Sequence, residues 1–183
     1  LEFRRVLFRS RNIFEYGLAM TKRLRDCGAE IVVSASDIAD NAGPFFRQEY
    51  LERWILPNLS KWAEAVAGMG MYSILHSDGN LMPQLDALAN TGINGLQAID
   101  PVAGMEMRRA KDVVARRLCL FGNIDCGLLL RGKPAEVFEA TRRLLTACKA
   151  DGGMVLGASN AVQPEVPLVN YRAMIQAWES FGR

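Results

Sequence analysis

His76 is the only histidine in the chain, and Asp78 follows two residues later. On an extended strand, side chains two apart point to the same face. A His-x-Asp pair so placed can hold a metal, or the carboxylate can orient the imidazole for proton transfer. Two ligands alone do not close a metal site. Short polar residues recur in the same setting. Asp37, Asp100, Asp125 and Asn160 each stand at the end of a short apolar run, as His76 and Asp78 do. Asp37, His76, Asp78, Asp100 and Asp125 are therefore the expected catalytic set. Ser77, Asn80, Asn123, Ser159 and Asn160 are the expected substrate-binding residues, and His76 and Asp78 the metal ligands. For each one singly the competing reading is a cap on the helix that follows. Cys126 reads as a structural thiol. The glycines form no GxGxxG or GxxxxGK[ST] string, so no nucleotide fingerprint is present.

The elements that position these residues follow from hydrophobic period. Ile13, Gly17, Met20, Leu24 and Cys27 trace one helical face, and Gly28 is a natural stop. Residues 48–67 repeat the pattern, with Pro57 expected to kink or split the helix. Helices are predicted over 81–90, over 106–116 as a charged, exposed one, and over 134–149 with Pro134 at the first helical position. The last helix covers 168–181, with Met174, Ile175 and Trp178 inward. Strands are predicted at 31–35, 71–76, 95–99, 118–123 and 154–158. They are short, apolar and expected to be buried on both faces, which means a parallel α/β sheet. In such a sheet all the strands' carboxyl ends share one face, and that face carries the chemistry. Two architectures fit. One is a complete five-stranded flavodoxin-like sheet. The other is a partial (β/α)8 TIM barrel. A full barrel needs about 250 residues, and the chain has 183.

Residues 1–10, LEFRRVLFRS, carry no cap signal and do not join the pattern that follows. They back-translate with permitted codons to a sequencing-library adapter, and are expected to be a non-native segment outside the core. That start implies a reading frame opened within a longer gene. It turns the choice towards the barrel, with residues 11–183 as its C-terminal portion. The whole chain has 22 basic and 20 acidic residues; without the segment's three Arg and one Glu, 19 of each remain. Such a balance makes no electrostatic case for nucleic acid or an anionic membrane. Half the residues are apolar and 23% charged, an ordinary globular composition with no membrane-spanning run. The four cysteines are scattered with no CxxC pair, as reduced cytoplasmic thiols would be.

Four stretches carry a family resemblance: HSDGN (76–80), GINGLQAIDPVAGMEM (92–107), GNID (122–125), and GGMVLGASN (152–160) followed by PEVPLVNYRAM (164–174). Together they resemble the uroporphyrinogen decarboxylase superfamily, from about residue 12 to the end. The resemblance implies a (β/α)8 barrel of which this chain is the last five units. That superfamily holds the decarboxylases and the corrinoid-dependent methyltransferases. The decarboxylases look like F-x-K-G where this chain has His76-Ser77-Asp78-Gly79, and like histidine where it has Asn160. Their substrate also bears many carboxylates and calls for a basic pocket. The strand-end loops here offer Asp37, Asp40, Asp78, Asp100 and Asp125 against Arg47, Arg131 and Lys133.

The methyltransferases look like His-x-Cys plus a later Cys holding zinc. The matching positions are His76, Asp78 and Asn160, so the histidine is kept and both thiolates are replaced. A harder oxygen and nitrogen set suits an ether or amine methyl donor better than a thiol. The resemblance thus implies a methyltransferase-type enzyme with a small-molecule substrate, a corrinoid on a partner protein, and zinc or another divalent metal. A cofactor-free decarboxylase of porphyrin synthesis, or an inactive fragment, are the alternatives.

Overall fold

The structure is a computed structural model that describes the backbone of residues 2–182 and the side chains of residues 12–182. It opens with helix α1 (Glu2–Asp26). Gly28, at φ +88°, stops the helix, and the N–H groups of Gly28 and Ala29 donate back to the carbonyls of Arg25 and Leu24. The backbone of Glu2–Ser10 is thus helical, where no helix was expected; the packing of its side chains lies outside the described residues. The inward side of α1 is Phe14, Leu18 and Thr21. Ile13, expected inward, is 72% exposed, and Leu24 is also exposed. The seam is rotated by about one residue, because the four-and-three spacing fits two neighbouring faces.

Strand β1 (Ile31–Ala35) follows, then a short hairpin of β2 (Ala39–Asp40) and β3 (Gly43–Pro44). Next come α2 (Gln48–Tyr50), a π-helical turn (Leu51–Ile55) and α3 (Leu56–Gly68). The helical run is continuous across Pro57, so it is not split. The helix widens to the π form just before the proline, which then enters in the first turn of α3, where a missing N–H costs little. The chain continues through β4 (Tyr72–His76), a 3₁₀ turn (Met82–Gln84) with α4 (Leu85–Ala89), β5 (Gly95–Ile99), and α5 (Met107–Val114). It ends with β6 (Cys119–Ile124), α6 (Cys126–Arg131), α7 (Pro134–Cys148), β7 (Met154–Ala158) and α8 (Leu168–Phe181).

The five longer strands form one sheet in the order β1-β4-β5-β6-β7, parallel throughout. Among these five, chain order and spatial order coincide. That is the order of a barrel wall, and it removes the flavodoxin-like alternative, which requires a strand-order reversal. The hairpin pairs antiparallel with itself, apart from this sheet.

One face of the sheet lies under the helices. Val32, Leu75, Leu96 and Leu120 share a core cluster with Trp62, Val66, Leu88, Ala110 and Val114. A second cluster joins Ile124 and Ala158 to Val137, Ala173 and Met174. The opposite face is only partly covered. Gly95 leaves room there for the Phe121 ring beside Ile74. Further out, Ile31, Val33, Tyr72 and Val155 are exposed by 54, 53, 59 and 44%. The expectation of strands buried on both faces therefore holds at the centre of the sheet and fails at its margins. Trp178, expected inward on α8, is exposed; Asn170, Ala173, Met174 and Ala177 are buried in its place.

Helix α5 is not the exposed helix its charges suggested. Met107, Ala110, Lys111 and Val114 are buried. The Lys111 ammonium donates to the Cys148 and Gly152 carbonyls and, at 2.6 Å, to Asp151 Oδ1. A buried ammonium needs such partners to offset its lost hydration. This one ties α5 to the turn between α7 and β7. Burial also pushes the Cys119 and Cys148 thiols up, and all four cysteines are free. Among the described residues, no helix is long and apolar enough to cross a membrane.

Two measurements test this packing. The Lys111 hydrogen bond, with Arg108 nearby, holds the Asp151 carboxyl below the ordinary carboxylate range. A carboxyl lowered in the folded state stabilises above its unfolded value, about 3.9, and the gain is lost as pH falls through the folded value. Urea unfolding from pH 6 down to pH 2 should show stability falling in that acid window, with a smaller fall in Asp151→Asn. Identical pH profiles would contradict the link. The second test is Gly122→Ala. Gly122 has φ +143°, and a Cβ there would meet the Ile99 carbonyl at 2.7 Å. A loss of about 1–3 kcal/mol in urea unfolding is expected, and a change within about 0.5 kcal/mol would contradict it.

Candidate active site

The site is built from the carboxyl ends of β1, β4, β5 and β7. His76 ends β4, paired in register with Ala35 of β1 on one side and Gln97 of β5 on the other. Its ring is largely enclosed, with 22% of the side chain accessible. Nδ1 meets the Gln97 amide oxygen Oε1. Nε2 faces Asp37 Oδ1 at 3.8 Å. The same Asp37 oxygen accepts the Asp78 backbone N–H at 2.9 Å. Asp78 Oδ1 accepts the Gly79 N–H, and Asp78 Oδ2 accepts the Asn160 side-chain amide at 2.5 Å.

This last contact joins strand ends that are far apart along the sheet. β4 and β7 are separated by β5 and β6. In a flat sheet three strand spacings put their ends roughly 14 Å apart. A direct hydrogen bond between residues two positions beyond each strand is what a curved wall permits, because a chord across an arc is shorter than the arc.

The loops are fixed by close backbone contacts. Ser77 is fully buried; its hydroxyl oxygen accepts the Ile38 N–H at 3.1 Å, which holds the β1 loop beside β4. Gly79 has φ +90°, and a Cβ there would sit 2.7 Å from the backbone of Ala39 and Asp40. The hairpin therefore rests directly on Gly79, and the Asn80 N–H donates to the Asp40 carbonyl at 2.7 Å. Asp40, Asn41, Ala42, Asp78 and Gly79 line an open depression beside the cluster.

The structure thus brings Asp37, His76, Asp78 and Asn160 together. The other expected residues are engaged elsewhere. Asp100 caps the 3₁₀ turn at Pro101–Ala103 by accepting the Val102 N–H. Asp125 caps α6, accepting from Gly127 and Leu128. Asn123 donates to the carbonyls of Ile99 and Met105 and ties β6 to the β5 loop. Asn80 accepts the Met82 N–H. Ser159 is buried and donates to Cys126 Sγ at 3.5 Å, while that thiol donates to the Ala161 carbonyl. Gln97 was not among the expected residues. Its signal was a lone amide inside an otherwise apolar strand, Gly95–Ile99.

No third metal-ligating side chain joins the expected pair His76 and Asp78 among the described residues. Among the described residues, no three His, Cys, Asp or Glu side chains are grouped to hold a metal. Asn160 turns its NH₂, which has no free lone pair, into Asp78. Neither thiolate of the zinc set that the resemblance implied stands at these positions, so that set is not reproduced here. What the cluster offers is acid–base chemistry: one imidazole between an amide and a carboxylate, with a second carboxylate pinned nearby. Among the described residues, no lysine or arginine pairs with Asp37 or Asp78. Of the basic candidates, Arg47 lies 4.0 Å from Glu49, and Arg131 folds back over Gly127 on its own helix.

Known proteins share this arrangement of elements. The chain is 23% identical over 168 residues to the methylcobamide:CoM methyltransferase MtbA of Methanosarcina acetivorans, covering 91% of this chain and 47% of that protein. It is 30% identical over 138 residues to the uroporphyrinogen decarboxylase of Anaeromyxobacter dehalogenans, covering 74% of this chain and 37% of that protein. The chain spans about half the length, or less, of these curated relatives. A methyltransferase structure from Methanosarcina mazei superposes with a TM-score of 0.78 at 22% identity, over 93% of this chain and 48% of that one. With the strand order above, this likeness makes the fold a partial (β/α)8 barrel of five consecutive βα units. Residues 11–181 match the family model for uroporphyrinogen decarboxylase (URO-D), and the chain belongs to that family.

Proposed function

We propose that the protein to which this chain belongs is a methyltransferase-type member of the family, moving a methyl group between a small substrate and a corrinoid on a partner protein. The observation that carries this reading is the Asp37–His76–Asp78–Asn160 cluster, with no basic partner among the described residues. A polycarboxylate would meet two carboxylates there; an amine or ether methyl donor would not be repelled. In this reading His76, protonated on both nitrogens, gives the Nε2 proton to the oxygen or nitrogen that loses its methyl as a cation. A neutral alcohol or amine then leaves, and His76 is left neutral with Asp37 beside it. The Asp78 backbone N–H holds Asp37 in place, and the Asp78 and Asn160 side chains shape the mouth. The decarboxylase remains a second reading, favoured by the 30% identity to a relative of that name.

The test uses the full-length protein with reduced free cobalamin as methyl acceptor and methylated amines or aryl methyl ethers as donors. His76→Ala should lower turnover by about 10²–10⁴-fold, and Asp78→Ala should lower it by less, because the backbone N–H that holds Asp37 is kept. The double variant should add little, since residues acting as a unit are non-additive. Undiminished turnover in both single variants would contradict the assignment. Decarboxylation of a uroporphyrinogen without methyl transfer would favour the second reading.

A further inference from the structure

We propose that Gln97 is a positioning residue that fixes the tautomer of His76, so that Nε2 is the nitrogen that exchanges protons in the mouth; this rests on the reading of His76 as the proton-transfer group. Gln97 and His76 are register partners on adjacent parallel strands, so their side chains rise from the same face. The amide oxygen meets Nδ1. That oxygen accepts at Nδ1, whereas Asp37 Oδ1 stands 3.8 Å from Nε2, beyond hydrogen-bond distance, so the neutral ring carries its proton on Nδ1 and leaves the Nε2 lone pair towards the mouth.

The backbone around Gln97 is built to hold that amide in place. Regular pairing of β5 with β6 is broken between Gln97 and Ile99. The residue in the break, Ala98, is fully buried at φ +80°. That is a costly conformation for a residue with a Cβ. Bulges of this kind re-aim the neighbouring side chain. Ile99 then seats over Gly122, where any Cβ would collide with its carbonyl. A half-buried amide in an apolar strand also needs a partner to offset its desolvation, and His76 supplies one.

The consequence for proton transfer balances simply. The imidazolium holds one proton on each nitrogen. Giving up the Nε2 proton leaves the Nδ1–H tautomer, the form that Gln97 stabilises. In the reverse direction Nε2 takes the proton back. Without the acceptor at Nδ1, the neutral ring is free to place its proton on Nε2, which then cannot act as base.

His76 is the only histidine of residues 1–183, and the difference from His76→Gln picks out its ring in the full-length protein. Nitrogen NMR of ¹⁵N-histidine-labelled protein, with His76→Gln to identify the resonances, reports the tautomer at alkaline pH. The expected wild-type spectrum has a protonated Nδ1 and a bare Nε2. Gln97→Glu keeps an acceptor and should keep this pattern. Gln97→Met keeps the volume and should shift the ring towards the Nε2–H form. In the cobalamin assay, Gln97→Met should lower kcat about tenfold or more with little change in KM, and Gln97→Glu should recover part of the loss. A wild-type ring protonated on Nε2, or an unchanged tautomer in Gln97→Met, overturns the proposal. If Gln97→Met does not fold, the wild-type and Gln97→Glu spectra still decide. The expected tautomer shift in a protein that transfers no methyl group would support the role of Gln97 and sink the functional reading instead.

Discussion

The bond between Asp78 and Asn160 joins the ends of two strands that are not neighbours in the sheet. It spans the mouth of the sheet, from the end of β4 to the end of β7, over the two strands between them. A curved wall permits it, and curvature brings strand ends close enough to share one reacting centre. Asp78 hands the constraint on, because its backbone N–H holds Asp37, whose carboxylate faces His76. The candidate site is thus a short chain of hydrogen bonds laid across an arc. A change in strand order or register would break it.

The rest of the fold supplies fixed anchor points for that arc. Gly79 admits the hairpin, buried Ser77 binds the β1 loop, and the β4–β5 register sets Gln97 beside the imidazole. Lys111 closes the far end of the sheet, where three oxygens replace its hydration. In each case a buried polar group finds partners inside the protein, so its desolvation is offset and its geometry is fixed. The exposed inner-face residues Ile31, Val33, Tyr72 and Val155 mark where this sheet offers apolar surface beyond its own packing.

The strand pattern was legible because these runs are short, apolar and flanked by glycine or polar residues. The strands at 31–35, 95–99 and 154–158 and the helix at 168–181 lie where periodicity placed them. Parallel pairing in chain order followed from the alternation of strands and helices. The short helix α6 and the hairpin at Ala39–Pro44 were not legible, since neither is long enough to show a period. Lys111 looked like one more surface charge; only its oxygen partners, 37 to 41 residues away, reveal its burial. Residue type singled out His76 and its acidic neighbours as candidates. It could not separate Asp37 and Asp78, which face one another's loop, from Asp100 and Asp125, which cap the turns after their own strands. Side-chain direction beyond a strand end is set by the loop, and a single sequence does not encode it visibly.

The central claim is that the mouth is closed by a direct interaction across the sheet, and a double-mutant cycle on Asp78 and Asn160 measures it. Unfolding free energies of the full-length protein, Asp78→Ala, Asn160→Ala and the double variant give the coupling between the two side chains. The account predicts a favourable coupling of at least about 0.5 kcal/mol, as for residues in direct contact. Strictly additive effects, with no coupling, would mean that the two strand ends do not meet, and the site as described would not exist.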